Sequence, residues 1–278
     1  MKITEKENCV ILSDVKCLDI GLCLDCGQAF RFAENADGSF HGVVGKTVLD
    51  VKKDGENYIF YHTTKKQFEK VWYNYFDLGR DYEGIVESFD DGYLVRACRE
   101  YYGIRILKQD RWEALCSFII SQNNNIPRIK GIIERLCESF GDKISENDYS
   151  FPSYEILAEK TVEDLAVLRS GFRAKYIIDA AKKVKSGEVS LDRLDKISLD
   201  EARNELMKIK GVGKKVAECT LLYGVGAVDA FPVDVWVSRI CQELYPDGLP
   251  ECMNGVRGIA QQYLFHWRRN LNESEVCV

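Results

Sequence analysis

Between residues 28 and 62 apolar positions recur at short intervals broken by turn dipeptides, and after residue 65 the spacing lengthens to that of helices. Asp37-Gly38 and Asp54-Gly55 have the composition of tight hairpin turns, and Gly45-Lys46 offers a third. Phe30-Arg31-Phe32, Thr47-Val48-Leu49-Asp50-Val51 and Tyr58-Ile59-Phe60-Tyr61 then read as antiparallel strands of a meander. In the helical part, Asp110 with Glu113, Thr161 with Asp164 and Ser198 with Glu201 each place a capping side chain three positions before a carboxylate, a pairing that satisfies orphan backbone N–H groups at a helix start. A helix from near Ile126 has Pro127 in its first turn, an apolar stripe of Ile129, Ile132, Ile133, Leu136 and Phe140, and Gly141 as its stop. The pattern implies an α+β chain: an antiparallel β-sheet domain over residues 1–105, then a mainly helical region over 106–278. No internal repeat, low-complexity tract or long linker interrupts it.

At 278 residues and 46% apolar content the chain has material for two or three compact units. Its 38 basic and 44 acidic residues leave a net charge of −6, which excludes a polycation that coats nucleic acid indiscriminately. Any nucleic-acid face must be local. Residues 81–91 carry five acids and no base, 169–185 carry six bases and one acid, and 208–215 add four lysines. The two basic segments could form one phosphate-facing strip, although a lone lysine run is more often a solvated helix face. Eleven cysteines include one C-x-x-C pair, Cys23 and Cys26, without a second pair, and Cys252 and Cys277 lie too far apart for the tight run of an iron–sulfur site. Reduced thiols, no signal-like start in MKITEKENCV and no apolar window of membrane-spanning length point to a soluble intracellular protein with no membrane partner.

In GVGKKVAEC, residues 211–219, the glycines do not open a dinucleotide site, since the third glycine of that motif would fall at Val216 and no strand precedes them. A capped helix from Ser198 comes before and a second helix from Lys214 follows, so Gly211 and Gly213 join two helices in a hairpin whose backbone N–H groups and Lys214 can meet a phosphate without reading sequence. Lys215, one residue on, points about 100° away around the helix. It sits at a helix N-terminus among Lys208, Lys210 and Lys214, where like charge opposes a further ammonium, and a free amine is a nucleophile able to form a Schiff base. In AFPVDVWVSRI, Pro232 and Asp234 lead into a helix, so Asp234 is placed as its N-cap and could assist proton transfer or a developing cationic sugar beside Lys215. As an isolated residue it would be a cap and nothing more. In the last helix the stripe Val256, Ile259, Ala260, Tyr263, Leu264 and Trp267 leaves Gln261 and Phe265 off-stripe and one turn apart. An amide beside an aromatic face suits a pocket for an extruded base, and an exposed glutamine beside a peripheral phenylalanine is the plainer reading.

Taken together and in order, GQAFRF (27–32), FIISQNNNIPRIKGIIERLCESFG (118–141), GVGKKVAEC, PVDV and AQQYLF (260–265) resemble 8-oxoguanine DNA glycosylase/AP lyase of the helix-hairpin-helix superfamily, over roughly residues 15–268. The resemblance implies two helical subdomains flanking an active-site cleft, Lys215 as the nucleophile at C1′ and Asp234 as the essential carboxylate. It implies that Gly27 offers its carbonyl to the N7 hydrogen that 8-oxoguanine has and guanine lacks, that Phe265 and Cys219 sandwich the base, and that Gln261 binds its Watson–Crick edge. It further implies that Asn123 fills the vacated space, Arg128 and Arg173 hold the orphaned cytosine, Phe172 wedges the stack, and Gly211, Gly213 and Lys214 grip the backbone, with a structural cation on carbonyls near Ile209 and Val212. The expected partner is double-stranded DNA containing 8-oxoguanine, met by a monomer with no cofactor, in the cytoplasm of a prokaryote or the nucleus of a eukaryote. Two positions depart from the animal members: Trp236 replaces a histidine, and Phe172 replaces a tyrosine. Rival readings are an oxidised-pyrimidine glycosylase, disfavoured by the β-rich N-terminal part and the missing cysteine cluster, an alkylated-base glycosylase, disfavoured by Lys215, and a non-catalytic DNA-binding module.

Overall fold

The computed structural model describes residues 1–271, and Cys277 lies outside them. Six strands form one antiparallel sheet in the order β1-β2-β6-β5-β4-β3: β1 (Lys2–Lys6), β2 (Cys9–Ser13), β3 (Phe32–Glu34), β4 (Phe40–Val44), β5 (Thr47–Asp54) and β6 (Asn57–Tyr61). The meander and its three turns are where the sequence places them, but the sheet also extends upstream of residue 28. β1 has no buried residue, and its turn to β2 is Glu7-Asn8, with Asn8 at φ 63 instead of a glycine, so neither hydrophobic alternation nor a turn dipeptide marks it. Phe30 is buried in the helical core, and the strand begins two residues later at Phe32.

One face of the sheet buries Val10, Leu12, Leu49, Val51 and Phe60 against Phe68, Trp72 and Phe76 of the helical stretch 65–76, with Phe60 and Phe68 edge to face at 4.8 Å. Helix Ile20–Asp25 adds Ile20, Cys23 and Leu24 to this core, and the helices after residue 81 share a second one. Tyr82, Leu94, Ala97 and Cys98 precede residue 105 yet belong to this second core, whereas Leu107 belongs to the first. The cores are therefore interleaved across the expected boundary.

The capping pairs behave as three separate cases. Ser198 and Glu201 form a complete capping box. Thr161 and Asp164 bond reciprocally, although the turn they start is a 3₁₀ helix, Asp164–Leu168. Asp110 caps Arg111–Ser121 alone, because Glu113 turns away to pair with Arg31 at 3.6 Å across the sheet–helix junction. The Ile126–Phe140 helix starts and stops where the sequence indicates, capped by Asn125.

Two side chains of the junction hold their proton more tightly than usual. Burial pushes the Glu113 carboxyl up to about 7 against the pull of Arg31. His41 on β4 bonds Asp50 at 2.7 Å and Asp148 of the helical part at 2.9 Å; burial works against its imidazolium, but the two carboxylates outweigh it and raise its pKa above the ordinary value. Both groups hold their proton more tightly folded than unfolded, so their contribution to stability is complete at acid pH and is lost as pH rises through the folded values. The expected outcome is that Glu113→Gln is more stable than the wild type at about pH 8 and loses that advantage by about pH 4, read from urea midpoints at each pH. An advantage independent of pH would show that folding leaves the Glu113 carboxyl unshifted.

Candidate active site

The hairpin forms as its residues require. Helix Leu199–Met207 ends at Lys208, the Ile209 carbonyl accepts the Val212 amide at 3.0 Å, and Gly211 turns the chain at φ +80. A Cβ on Gly211 would lie 2.4 Å from the Tyr176 ring, so the residue is constrained by sterics as well as by φ. Gly213 caps helix Lys214–Cys219 with open space beside it, where a backbone could approach. Past Cys219 the helix widens into a π turn, Thr220–Val225.

The two lysines diverge as the helical angle demands: Lys214 is exposed and Lys215 half-buried. The Lys215 amine donates to Ser121 Oγ at 3.1 Å and lies 5.2 Å from the Phe118 ring centroid. Ser121 in turn donates to the Phe118 carbonyl at 2.9 Å, which leaves an oxygen lone pair for the amine. Asp234 caps Val235–Leu244, accepting the Val237 amide at 2.8 Å. No ion pair within 4.0 Å joins Lys215 to Asp234 among the described residues, yet both open into the same cavity.

That cavity also presents Gly27, Cys219, Gln261 and Phe265. Cys219 is buried and its thiol pushed up to about 11, desolvation outweighing the nearby Lys215, so it packs as an apolar wall. Gln261 is not the exposed glutamine of the plainer reading: it is 5% exposed, and its Oε1 is buried with no hydrogen-bond partner among the described residues. A buried acceptor left open is costly unless a ligand fills it. Gly27 has φ +84, and a Cβ there would be 3.7 Å from Phe265. The space measures about 50 Å³, and Phe265 on its wall is partly exposed.

Nearby, Asn123 stands exposed at φ 49. Arg173 is only 3% exposed: its guanidinium donates to the Gln122, Asn123 and Ser170 carbonyls and lies 4.6 Å from the Phe172 ring. It fixes the Asn123 loop beside Phe172, which is 45% exposed and edge-on to Tyr176. Arg128 is exposed one turn into its helix. Of the basic segments, Lys183, Lys185 and Lys208 are spent on Asp179, Glu159 and Glu205, which leaves Lys175, Lys182, Lys210 and Lys214 outside any ion pair among the described residues. Trp236 carries the Arg239 guanidinium 5.5 Å from its ring.

Sequence reasoning missed Gln28, Ser121, Tyr223 and Gln262, all polar partners packed around the cavity. The only signal was a second glutamine on an otherwise apolar face in AQQYLF.

Residues 10–115 match the family model for the 8-oxoguanine DNA glycosylase N-terminal domain, and residues 116–248 match the HhH-GPD superfamily of base excision DNA repair proteins. MBOgg1, solved in complex with a low-affinity DNA ligand, is 45% identical and superposes with a TM-score of 0.91, covering 96% of this chain and 98% of that one. The Clostridium acetobutylicum 8-oxoguanine glycosylase/lyase, solved with double-stranded DNA bearing cytosine opposite 8-oxoguanine, is 37% identical with a TM-score of 0.91, covering 97% and 98%. The Saccharomyces cerevisiae N-glycosylase/DNA lyase is 42% identical over 158 residues, 51% of this chain and 42% of that protein, so the match spans less than half of the yeast protein's length.

Gly211→Ala, which combines a left-handed φ with a clash against Tyr176, is expected to destabilise the chain by about 2–4 kcal/mol, measured by chemical denaturation. A loss below about 0.5 kcal/mol would mean the hairpin tolerates a side chain there.

Proposed function

Because the chain belongs to the 8-oxoguanine DNA glycosylase family of helix-hairpin-helix base excision repair proteins, we propose that it extrudes 8-oxoguanine from duplex DNA, excises it through a Lys215 Schiff base, and cleaves the strand by β-elimination. The observation that carries this reading is one cavity into which Lys215, Asp234, Gly27, Cys219, Gln261 and Phe265 all open.

The steps follow from the chemistry of those groups. The hairpin and Lys214 hold the phosphates while Asn123 and Phe172 occupy the stack that the lesion leaves. The base then lies between Cys219 and Phe265, and Gln261 Oε1 accepts from its Watson–Crick edge, filling the acceptor that is open in the protein. Lys215 leaves Ser121, gives a proton toward Asp234 and attacks C1′; the glycosidic bond breaks and its electron pair departs with the base, which takes up a proton. Ring opening gives the imine, loss of a C2′ proton follows, and the 3′ phosphate is expelled. Asp234, held by its cap bond, sits where positive charge develops on the sugar.

Arg128 is exposed beside the Asn123 loop that Arg173 anchors, and this placement supports cytosine as the preferred opposite base. The structural neighbours include 3-methyladenine glycosylases, for example the Archaeoglobus fulgidus enzyme at 22% identity, a likeness of fold alone. Lys215 favours the oxidised-purine reading.

Borohydride trapping is expected to give a covalent adduct on duplex containing 8-oxoguanine and none on thymine glycol or undamaged duplex. Lys215→Gln should abolish the adduct with little change in DNA affinity. No adduct from the wild type would leave a DNA-binding module. Single-turnover excision should be at least about tenfold faster opposite cytosine than adenine; equal rates would remove the role given to Arg128.

A further inference from the structure

The Gly27 carbonyl, on the reading above, separates 8-oxoguanine from guanine by a single hydrogen bond. Yet among the described residues no hydrogen bond reaches that carbonyl, and it belongs to a glycine at φ +84, the residue type least able to hold its own backbone. Its orientation must come from the peptides on either side.

Those peptides are held from opposite directions. On the downstream side, Gln28 is fully buried: its amide nitrogen donates to the Cys23 and Arg105 carbonyls at 3.0 and 2.8 Å, its amide oxygen accepts the Leu107 amide at 2.9 Å, and its own carbonyl accepts from Gln109 at 2.6 Å. On the upstream side, the Cys26 carbonyl accepts from Gln262 Nε2 at 3.0 Å, and Gln262 Oε1 accepts the Tyr223 hydroxyl at 2.5 Å. The orientation of that amide is dictated by its partners, since a backbone carbonyl can only accept and the nitrogen must therefore face Cys26. Gln262 is 1% exposed and lies on helix Arg257–Asn270, which also carries Gln261 and Phe265.

We infer that Gln262 is a positioning residue for lesion specificity: by pinning the Cys26 carbonyl to the helix that carries Gln261 and Phe265, it keeps the Gly27 carbonyl in register with the pocket. Gln28 ties the segment to the sheet side, and Gln262 ties it to the side that grips the base. Without the second tie, the carbonyl can rotate away from an N7 hydrogen, and the penalty against the N7 lone pair of guanine weakens with it. The inference rests on the reading of Gly27 above; Gln262 also lines the cavity, with its amide taken by the Cys26 carbonyl and the Tyr223 hydroxyl.

The test separates base reading from sugar chemistry. Gln262→Met keeps the volume and removes both hydrogen bonds; Gln262→Glu keeps the shape and the bond from Tyr223. Each is compared with the wild type in single-turnover removal of 8-oxoguanine and in strand cleavage at a preformed abasic site, which has no base to read. For Gln262→Met the expected result is a fall in excision on the order of tenfold with abasic cleavage within about twofold of wild type. For Gln262→Glu, the neutral acid can donate to the Cys26 carbonyl and the carboxylate cannot, so its excision-to-cleavage ratio, relative to wild type, should fall as pH rises. Equal losses in both reactions at every pH, or no loss in excision by either variant, would overturn the inference. A wild type that cleaves abasic sites but removes no 8-oxoguanine would overturn the functional reading beneath it.

Discussion

The amide of Gln28 is the point on which the two halves of the molecule depend. A side chain with two donors and an acceptor, taken wholly out of water, is stable only if each is matched. Here the matches come from the helix end at Cys23 and from the strap at Arg105 and Leu107. Beside it Arg105, also buried, spends its guanidinium on the Lys16, Cys17 and Asp77 carbonyls and lies over Tyr82 at 4.6 Å. Gly103 permits the approach, since a Cβ there would lie 2.4 Å from the Asp19 amide nitrogen. A segment that leaves the sheet is thus delivered into a pocket otherwise made of helices.

Much of this was legible in the sequence. The glycine hairpin, the divergence of Lys214 from Lys215 and the Asp234 cap follow from spacing alone, because helical geometry turns residue numbers into directions. The Asp37-Gly38 and Asp54-Gly55 turns are equally local. What was not legible is whatever depends on contact between distant segments. Glu113 had the spacing of a capping box and is instead taken by Arg31, on the other side of the junction. Arg173, which the resemblance put at the orphaned cytosine, spends its guanidinium on the Gln122, Asn123 and Ser170 carbonyls. β1 pairs through its backbone, which has no sequence signature, and of its side chains Ile3 packs, partly buried, against the core.

The acidic balance of the chain also acquires a local meaning. Three of the eight lysines that made two segments look strongly basic, Lys183, Lys185 and Lys208, are neutralised by carboxylates on the same or neighbouring helices. Lys175, Lys182, Lys210 and Lys214 stand outside any ion pair among the described residues, and the field of each is screened within about a Debye length. The acidic stretch 81–91 forms turns and helices remote in sequence from it, capped by its own Asp81 and Asp91.

The narrowness of the cavity beside Lys215 bears on how small molecules against this protein should be sought. A compound shaped to a void of about 50 Å³ would hold only a handful of heavy atoms, and even the best ligands gain no more than about 1.5 kcal/mol from each. An inhibitor of useful affinity must therefore extend past the void itself, so a screen confined to that contour would return only fragments.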